Sequence, residues 1–587
     1  VLFDQEERTM MERFFGRLAA FAVPVMFLIS CGDESPADAV PADEMRVAMT
    51  LLAADDTACE DYVGDNIQDK LGALTIRIYD VSSPKPKHTT SLTKDQLSGD
   101  VTISGIPNVS NARLELYGFE SISDPAPKWI GTVQGLNFVS GKKTNVYASL
   151  YPVSGIGCFP KKLQTPRFGH VATTLPDGRI LITGGFTLTN NGTWEADDTV
   201  ELLDTESGTV DQIADMKEFR AFHTVVPLPD GRVLITGGVS NMKMEKTAVT
   251  DYPDLPVTLN GAPAGMEIYT VGLPRKNQRL TTTDNTTVDW VEGALDWPSI
   301  FAPYQGYAFV RTDETTGSGT LFVVGGAKDG AALSKIHGIE VTVGEDGAIS
   351  AVVNEYHSDK TETFVMPVVA PAGLDNGTPR VLVIGGRKAT STAKFTHIIS
   401  KDVYEEWNDT TPNLFFGSAA AQGDIIVAAN GLDLPKDATA FEMHARGYRF
   451  NMADRTYRSG DIFPKSTWFH EVTLDVTEGY NGYFSVIGGA EGFDTTSASV
   501  GATNFYQLID LDMMYWENDW DPEQHDGAPA PRFGDYFNGT SESDPGRALH
   551  RVARSGNLLY ITGGLDDDLK SLTLVGTIKL MPTTRPW

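Results

Sequence analysis

Two stretches of this chain, 53 residues apart, are near copies of each other. Arg167-Phe168-Gly169-His170 is followed by Leu175-Pro176-Asp177-Gly178-Arg179-Ile180-Leu181-Ile182-Thr183-Gly184-Gly185. Arg220-Ala221-Phe222-His223 is followed by Leu228-Pro229-Asp230-Gly231-Arg232-Val233-Leu234-Ile235-Thr236-Gly237-Gly238. Each reads as a strand, an Asp-Gly turn and a second, apolar strand that ends on a glycine pair. Asp-Gly suits a tight hairpin because its turn needs positive backbone torsions, which glycine adopts without steric cost. The ending recurs at Gly325-Gly326, Gly385-Gly386, Gly488-Gly489 and Gly563-Gly564, with a degenerate copy at Ala428-Ala429-Asn430-Gly431. A unit this small cannot bury both faces of its own sheet, so the copies must stack on one another. Their spacing varies from 45 to 88 residues, which calls for long insertions between some of them.

A period near fifty with four strand-sized pieces per unit predicts an all-β propeller. The stretch from Val200 to His223 carries a particular order: strand Val200-Glu201-Leu202-Leu203-Asp204, turn Thr205-Glu206-Ser207-Gly208, Val210, then Met216, Arg220 and His223. In this order the chain resembles the Kelch (galactose-oxidase-like) family of β-propellers, over roughly residues 156–587. Arg547 and His550 restate the motif near the C-terminus. The resemblance implies seven blades, six being the alternative if the copy at 430 is no blade. It also implies that Leu572 to Met581 and Cys158 to Gln164 complete one blade from the two ends of the region. The motif histidines His170, His223 and His550 recur at one phase of the repeat beside an arginine, so they and Arg167, Arg220 and Arg547 read as structural. The glycine pairs read as blade turns, since no Lys-Ser or Lys-Thr follows them as a phosphate loop requires. Some Kelch-type propellers are copper radical oxidases that need a Tyr–Cys cross-link; residues 160–587 contain no Cys, which disfavours that chemistry.

Ahead of this region, alternating segments such as Thr75-Ile76-Arg77-Ile78-Tyr79 and Ala112-Arg113-Leu114-Glu115-Leu116-Tyr117 show the period of two expected of strands with one buried face. With further strand-like runs at 101–107, 129–133 and 145–151, residues 45–155 are expected to form a small antiparallel sandwich of immunoglobulin-like or transthyretin-like type. At the N-terminus, Arg13 and Arg17 precede the apolar run Leu18 to Ile29, long enough for an export signal and short for a membrane span. Leu28-Ile29-Ser30-Cys31 resembles a bacterial lipobox. The resemblance implies that residues 1–31 are an extension plus signal peptide, that Cys31 is acylated, and that residues 32–44 are an acidic tether. Gly32 after Cys31 favours the outer membrane over the inner. With Cys31 acylated, Cys59 and Cys158 are left as a candidate disulfide in an exported compartment, two free thiols being the alternative.

The balance of 78 acidic against 47 basic residues, a net charge of -31, repels phosphate backbones and argues against nucleic acid as a partner. Carboxylate clusters at Asp197-Asp198, Asp519 to Asp526 and Asp566-Asp567-Asp568 invite calcium, but none has the spacing of a defined calcium loop, so no cofactor or metal is expected. No nucleophile elbow or zinc-protease motif is present. The function expected is recognition of a protein or glycan by a monomeric, lipid-anchored, non-catalytic propeller. The insertions Ser240 to Leu295 and Met513 to Leu549, rich in Asp, Trp and Tyr, are the expected contact surfaces. The alternative is a carbohydrate-active enzyme of the sugar-mutarotase kind acting on an anionic sugar.

Overall fold

A computed structural model describes residues 46–51, 70–80, 85–97, 101–103, 105–139, 143–148, 150–152 and most of 157–579. The apolar run 18–29, Cys31, Cys59, Gly386 and the stretch 511–538 lie outside the described residues. The described elements are strands, apart from one short 3-10 turn at Lys94–Gln96. No helix among them is long and apolar enough to cross a membrane.

The N-terminal part is two sheets on one core. A five-stranded sheet contains His88–Thr93, Ala73–Asp80, Val109–Phe119, Trp129–Phe138 and Tyr151–Pro152 in that spatial order. A three-stranded sheet contains Val101–Ile103, Arg46–Leu51 and Lys143–Ala148. Leu74, Ile76, Ile78, Leu114 and Leu116 of the first sheet share their core with Ile103, Val146 and Ala148 of the second. The opposite face of the large sheet carries the alternate residues, where Arg77 stacks 4.7 Å over the Tyr117 ring and Arg113 4.6 Å over Tyr79. The expected all-antiparallel pairing fails at one place: Arg46–Leu51 runs parallel to Lys143–Ala148. Parallel neighbours need a long connection, and here most of the module lies between the two strands. The run at 145–151 also divides, its end crossing to the larger sheet as Tyr151–Pro152.

From residue 157 onward there are eight four-stranded antiparallel sheets among the described residues, and seven of them, numbered here in chain order, follow one another side by side. The first is Val171–Thr174, Ile180–Thr183, Val200–Asp204 and Thr209–Ile213, hydrogen-bonded in sequence order. The degenerate copy at 428–431 belongs to a full sheet, the fifth, whose second strand is Ile425–Ala429. The seventh is built differently. Arg551–Ser555, Leu558–Thr562 and Val575–Lys579 are completed by Gly157–Cys158 from the start of the region, with Gly576 opposite Cys158. Past that strand the chain stays attached, Phe159 N–H donating to Val575 O at 3.0 Å and Leu163 N–H to Thr573 O at 2.8 Å. The completing strand is thus 157–158, one step ahead of the expected 158–164.

The second strand of a sheet carries a continuous apolar run, as at 180–182, 233–235, 321–324, 381–384 and 426–429, because it is buried on both faces. In Ile180–Thr183, Leu181 packs with Val233 and Ile235 of the second sheet, while Ile180 and Ile182 pack with Ala553 and Tyr560 of the seventh. Leu234 meets Leu321 and Val323 of the third sheet, Phe322 and Val324 meet Val381 and Val383 of the fourth, and Leu382 and Ile384 meet Ile426 and Ala428 of the fifth. Each such side chain contributes roughly 1.5–3 kcal/mol on burial. A second strand serves two interfaces at once, so these strands dominate the cohesion between sheets. The first strands lie side by side in succession: Val171–Thr174, Thr224–Pro227, Gln305–Arg311, Val368–Asp375, Ser418–Gln422, Glu471–Asp475 and Arg551–Ser555, the last of these also lying against Val171–Thr174.

Candidate functional site at the sheet junctions

The repeated Arg-x-x-His and Gly-Gly motifs meet where one sheet abuts the next. Arg167 is fully buried, and its guanidinium donates to Glu201 Oε1 at 2.7 Å, Gly184 O at 2.6 Å, and Thr199 O and Oγ1 at 3.1 and 2.8 Å. Glu201, equally buried, accepts the backbone N–H groups of Gln164 and Thr165 as well. Arg220 repeats the plan with Glu267 Oε1 at 3.0 Å, Gly237 O at 2.9 Å and Gly265 O at 2.7 Å. A buried ion pair is tolerated only when its remaining hydrogen-bonding capacity is satisfied, and backbone carbonyls do that here. Glu201 and Glu267 were not among the expected site residues. Their signal was in the sequence: each is a carboxylate at the start of a third strand, ahead of an apolar pair, and lies opposite Ile182 and Ile235 respectively. In the seventh sheet that place is taken by Gly576, and Arg547 donates instead to the carbonyls of Ile561, Gly563 and Leu574.

The histidines reach across to the preceding sheet. His223 Nε2 lies 2.8 Å from Thr183 Oγ1, and His170 Nε2 lies 2.8 Å from Thr562 Oγ1 of the seventh sheet. Burial, then the neighbouring Arg167 and Arg551, hold His170 well below the ordinary imidazole range; burial and Arg220 do the same to His223. His550 is pushed down to about 3 by burial first and by Arg547 second. All three are neutral at physiological pH. Between the second and third sheets a tyrosine stands in, the Tyr307 hydroxyl accepting Gly238 N–H at 3.3 Å.

The glycine pairs are explained by this crowding. At Gly184 (φ +56°) a Cβ would collide with the carbonyl of Arg220 in the next sheet, and at Gly185 (φ +105°) with His170 and Phe168 of its own. Gly185 N–H donates to Arg220 O at 2.8 Å. The same bond recurs from Gly326 to Phe364 O at 2.7 Å, from Gly489 to Arg547 O at 2.7 Å, and from Gly564 to Arg167 O at 2.8 Å, which joins the seventh sheet to the first. Gly237, Gly238, Gly325, Gly385, Gly488 and Gly563 occupy equivalent strand ends with positive φ.

A second set of bonds lies inside the first. The third residue of five motifs is left-handed: Gly169, Phe222, Tyr304, Met366 and Leu549 have φ between 52° and 65°. For a non-glycine residue this costs about 1–3 kcal/mol. These residues bond to one another across sheets, Phe222 N–H to Gly169 O at 2.8 Å, Gly169 N–H to Leu549 O at 2.8 Å, and Met366 N–H to Tyr304 O at 2.6 Å. Their side chains join an apolar cluster with Phe168, Phe186, Trp194, Val239, Ala490 and Leu565, drawn from several sheets. Over it lies a further four-stranded sheet of Phe186–Leu188, Trp194–Ala196, Asn241–Lys243 and Thr258–Asn260, which buries Met242 and Leu259 in the same cluster. The insertion Ser240 to Leu295 is therefore no free loop where it is described. It supplies two strands of this covering sheet and, as Glu267–Thr270 and Thr287–Trp290, the outer half of the second sheet. The reason is burial: Met242, Leu259, Met266 and Tyr269 are too apolar to stay in solvent.

The acidic clusters are partly engaged. Asp197 accepts Thr199 N–H at 2.7 Å, and Asp566 accepts Lys570 N–H at 2.8 Å while Asp568 pairs with Lys570 Nζ at 3.0 Å. Asp567 and Asp519 to Asp526 lie outside the described residues. Among the described residues, the group of side chains arranged to hold a metal ion is Glu362, His397 and Glu406, which the sequence did not single out. A scan against protein-family models finds no match, and a search of curated proteins finds none either.

Proposed function

We propose that this chain is a lipid-anchored, exported binding protein: a seven-bladed Kelch-type propeller, with an immunoglobulin-like or transthyretin-like sandwich ahead of it, that displays one face to a protein or glycan. The observation that carries the architecture is the junction between the seventh sheet and the first. It uses the Gly564 N–H to Arg167 O bond, the His170–Thr562 contact and the Gly169 N–H to Leu549 O bond, the same chemistry found between the first sheet and the second. A row with two free ends has no reason to repeat it there. The fourth strand of the seventh sheet, borrowed from residues 157–158, supports the same reading, because a ring that must be sealed gains most from a strand supplied by the opposite end of the chain.

A binding role rather than catalysis is favoured by how the motif residues are used. The recurrent Arg, His and Glu side chains are buried and committed to joining sheets, and the centre beside them is filled by Phe168, Phe186, Trp194 and Leu565. Recognition then falls to the outer surface, where Phe219 and Trp290 stand 55% and 40% exposed, Trp290 at the end of the second sheet's outer strand. Exposed aromatics are the side chains that most often carry binding energy. Replacing both by Ser is expected to weaken capture on a glycan array or on cell surfaces about tenfold or more, with the unfolding midpoint unchanged. Undiminished capture would remove this face from the proposal. Mass spectrometry of the membrane fraction tests the anchor: an acylated mature N-terminus at Cys31 is expected, and any other N-terminus rules it out.

A further inference from the structure

We infer that Glu362, His397 and Glu406 form a binding site for a divalent transition-metal ion at the outer part of the fourth sheet. His397 lies in its third strand, Thr396–Ser400, and Glu406 directly opposite in the fourth, Tyr404–Glu406. The ladder therefore sets two of the donors side by side before any ion arrives. Glu362 comes from the connection that runs from the third sheet to the fourth, between Ile349–Tyr356 and Val368–Asp375. The imidazole Nε2 lies 3.9 Å from Glu362 Oε2 and 4.0 Å from Glu406 Oε1, and all three donor atoms lie within 4.8 Å of one another.

The donors are held as a metal site requires. The His397 ring is fully buried, with the Phe364 ring edge-on at 5.8 Å and the Tyr404 ring at 4.9 Å, so its aim is set by packing. The Tyr404 hydroxyl donates to Glu362 Oε2, which orients the second donor from outside the coordination shell; such outer partners tune affinity. Glu362 and Glu406 remain 29% and 35% exposed, which leaves solvent a path to an ion. Donors bound to one tetrahedral zinc at about 2.0–2.1 Å stand roughly 3.3 Å apart, so each carboxylate needs to approach the imidazole by about 0.6–0.7 Å and the two carboxylates each other by up to about 1.5 Å, rotations open to side chains that reach solvent. Calcium takes six to eight oxygens, whereas imidazole with two carboxylates suits zinc, iron or nickel. Three protein donors with an exposed side leave a position for water or for a donor atom from a bound partner. An ion here would also staple the connection of the third sheet to the outer part of the fourth.

The test uses the full chain, stripped with a chelator and titrated with zinc chloride by calorimetry and with cobalt chloride by visible absorption. One ion per chain is expected, with a rise in the unfolding midpoint. Glu406→Gln and Glu362→Gln should each abolish the cobalt bands and the calorimetric site, and Tyr404→Phe should weaken zinc about tenfold. Two results overturn the inference: no binding by the parent chain, which would make the trio an ordinary histidine–carboxylate contact, or binding that survives in both Gln variants. Calcium binding as tight as zinc would overturn the transition-metal assignment as well.

Discussion

The junction of the first sheet with its neighbours and the junction of the third sheet with the fourth perform one geometrical task with opposite chemistry. At the first, a buried Arg167–Glu201 pair and a His170–Thr562 contact surround the glycine turn. At the second, Phe364 takes the place of the arginine, Gln305 and Pro367 stand where histidine stands elsewhere, and the Gly326 N–H to Phe364 O bond is retained. The left-handed residues Tyr304 and Met366 keep their mutual bond too. What is kept is backbone: two inter-sheet hydrogen bonds and the left-handed torsion. What varies is the side chain beneath it, which needs only to fill the space and leave no polar group unmatched. The polar version does so by giving the guanidinium a carboxylate and backbone carbonyls, the other by placing a phenylalanine where the arginine would be and bonding Gln305 to its own connection.

The two versions should fail differently. The largest effect is expected from Arg167→Ala, which strands the Glu201 carboxylate and the Gly184 and Thr199 carbonyls in the interior; about 3–5 kcal/mol is the usual cost of breaking a buried pair, read as a lowered midpoint in urea. Joint replacement of Arg167 and Glu201 by Met and Leu should recover much of it, since the phenylalanine junction already works without charges. If the single and double variants are equally unstable, the pair is not the reason for the loss.

Acid acts on the polar junctions through their histidines. His170, His223 and His550 have folded-state values depressed by burial, so the unfolded chain binds protons first as pH falls. Their contribution is complete above the unfolded value near 6.5 and is lost progressively below it, by about 1.4 kcal/mol per pH unit for each histidine. Between pH 6.5 and 5 that amounts to about 2 kcal/mol for one site. His223→Gln should flatten the stability profile over that range, and an unchanged slope would show that His223 titrates alike in the folded and unfolded chain.

The smallest effect separates a hydrogen bond from packing. Thr562→Val keeps the shape of the side chain and removes the partner of His170 at the seventh-to-first junction, at a cost of about 1–2 kcal/mol. Phe364→Leu at the apolar junction should cost a similar amount, through lost contact area instead. Measured at pH 7 and pH 5, neither penalty should change, because burial keeps His170 neutral in the folded protein at both; a threonine penalty that moves with pH would show that His170 titrates in the folded state.

Much of this was legible along the chain. The copies at 184 and 237 made the hairpin visible, and the glycine pairs marked the second strand of each sheet, including the copy at 428–431 whose Gly431 has the φ of +105° seen at Gly185. Less legible were His88–Thr93, a polar edge strand whose one buried residue is Leu92, and the parallel pairing of Arg46–Leu51, which depends on a partner almost a hundred residues away. The Glu201 and Glu267 partners were present as carboxylates at the start of their strands, but a charge in a strand does not announce which arginine it meets.

The sequence by itself determined the all-β character, the repeat, and the strands that are buried on both faces, because period, turn residues and apolar runs act over a few neighbouring positions. Only the tertiary structure decided which sheet each histidine reaches, that Asn241–Lys243 and Thr258–Asn260 cover an apolar cluster, and that Glu362 comes beside His397 and Glu406. Those juxtapositions join residues tens to hundreds of positions apart, and they depend on how whole sheets stack, which no local pattern encodes.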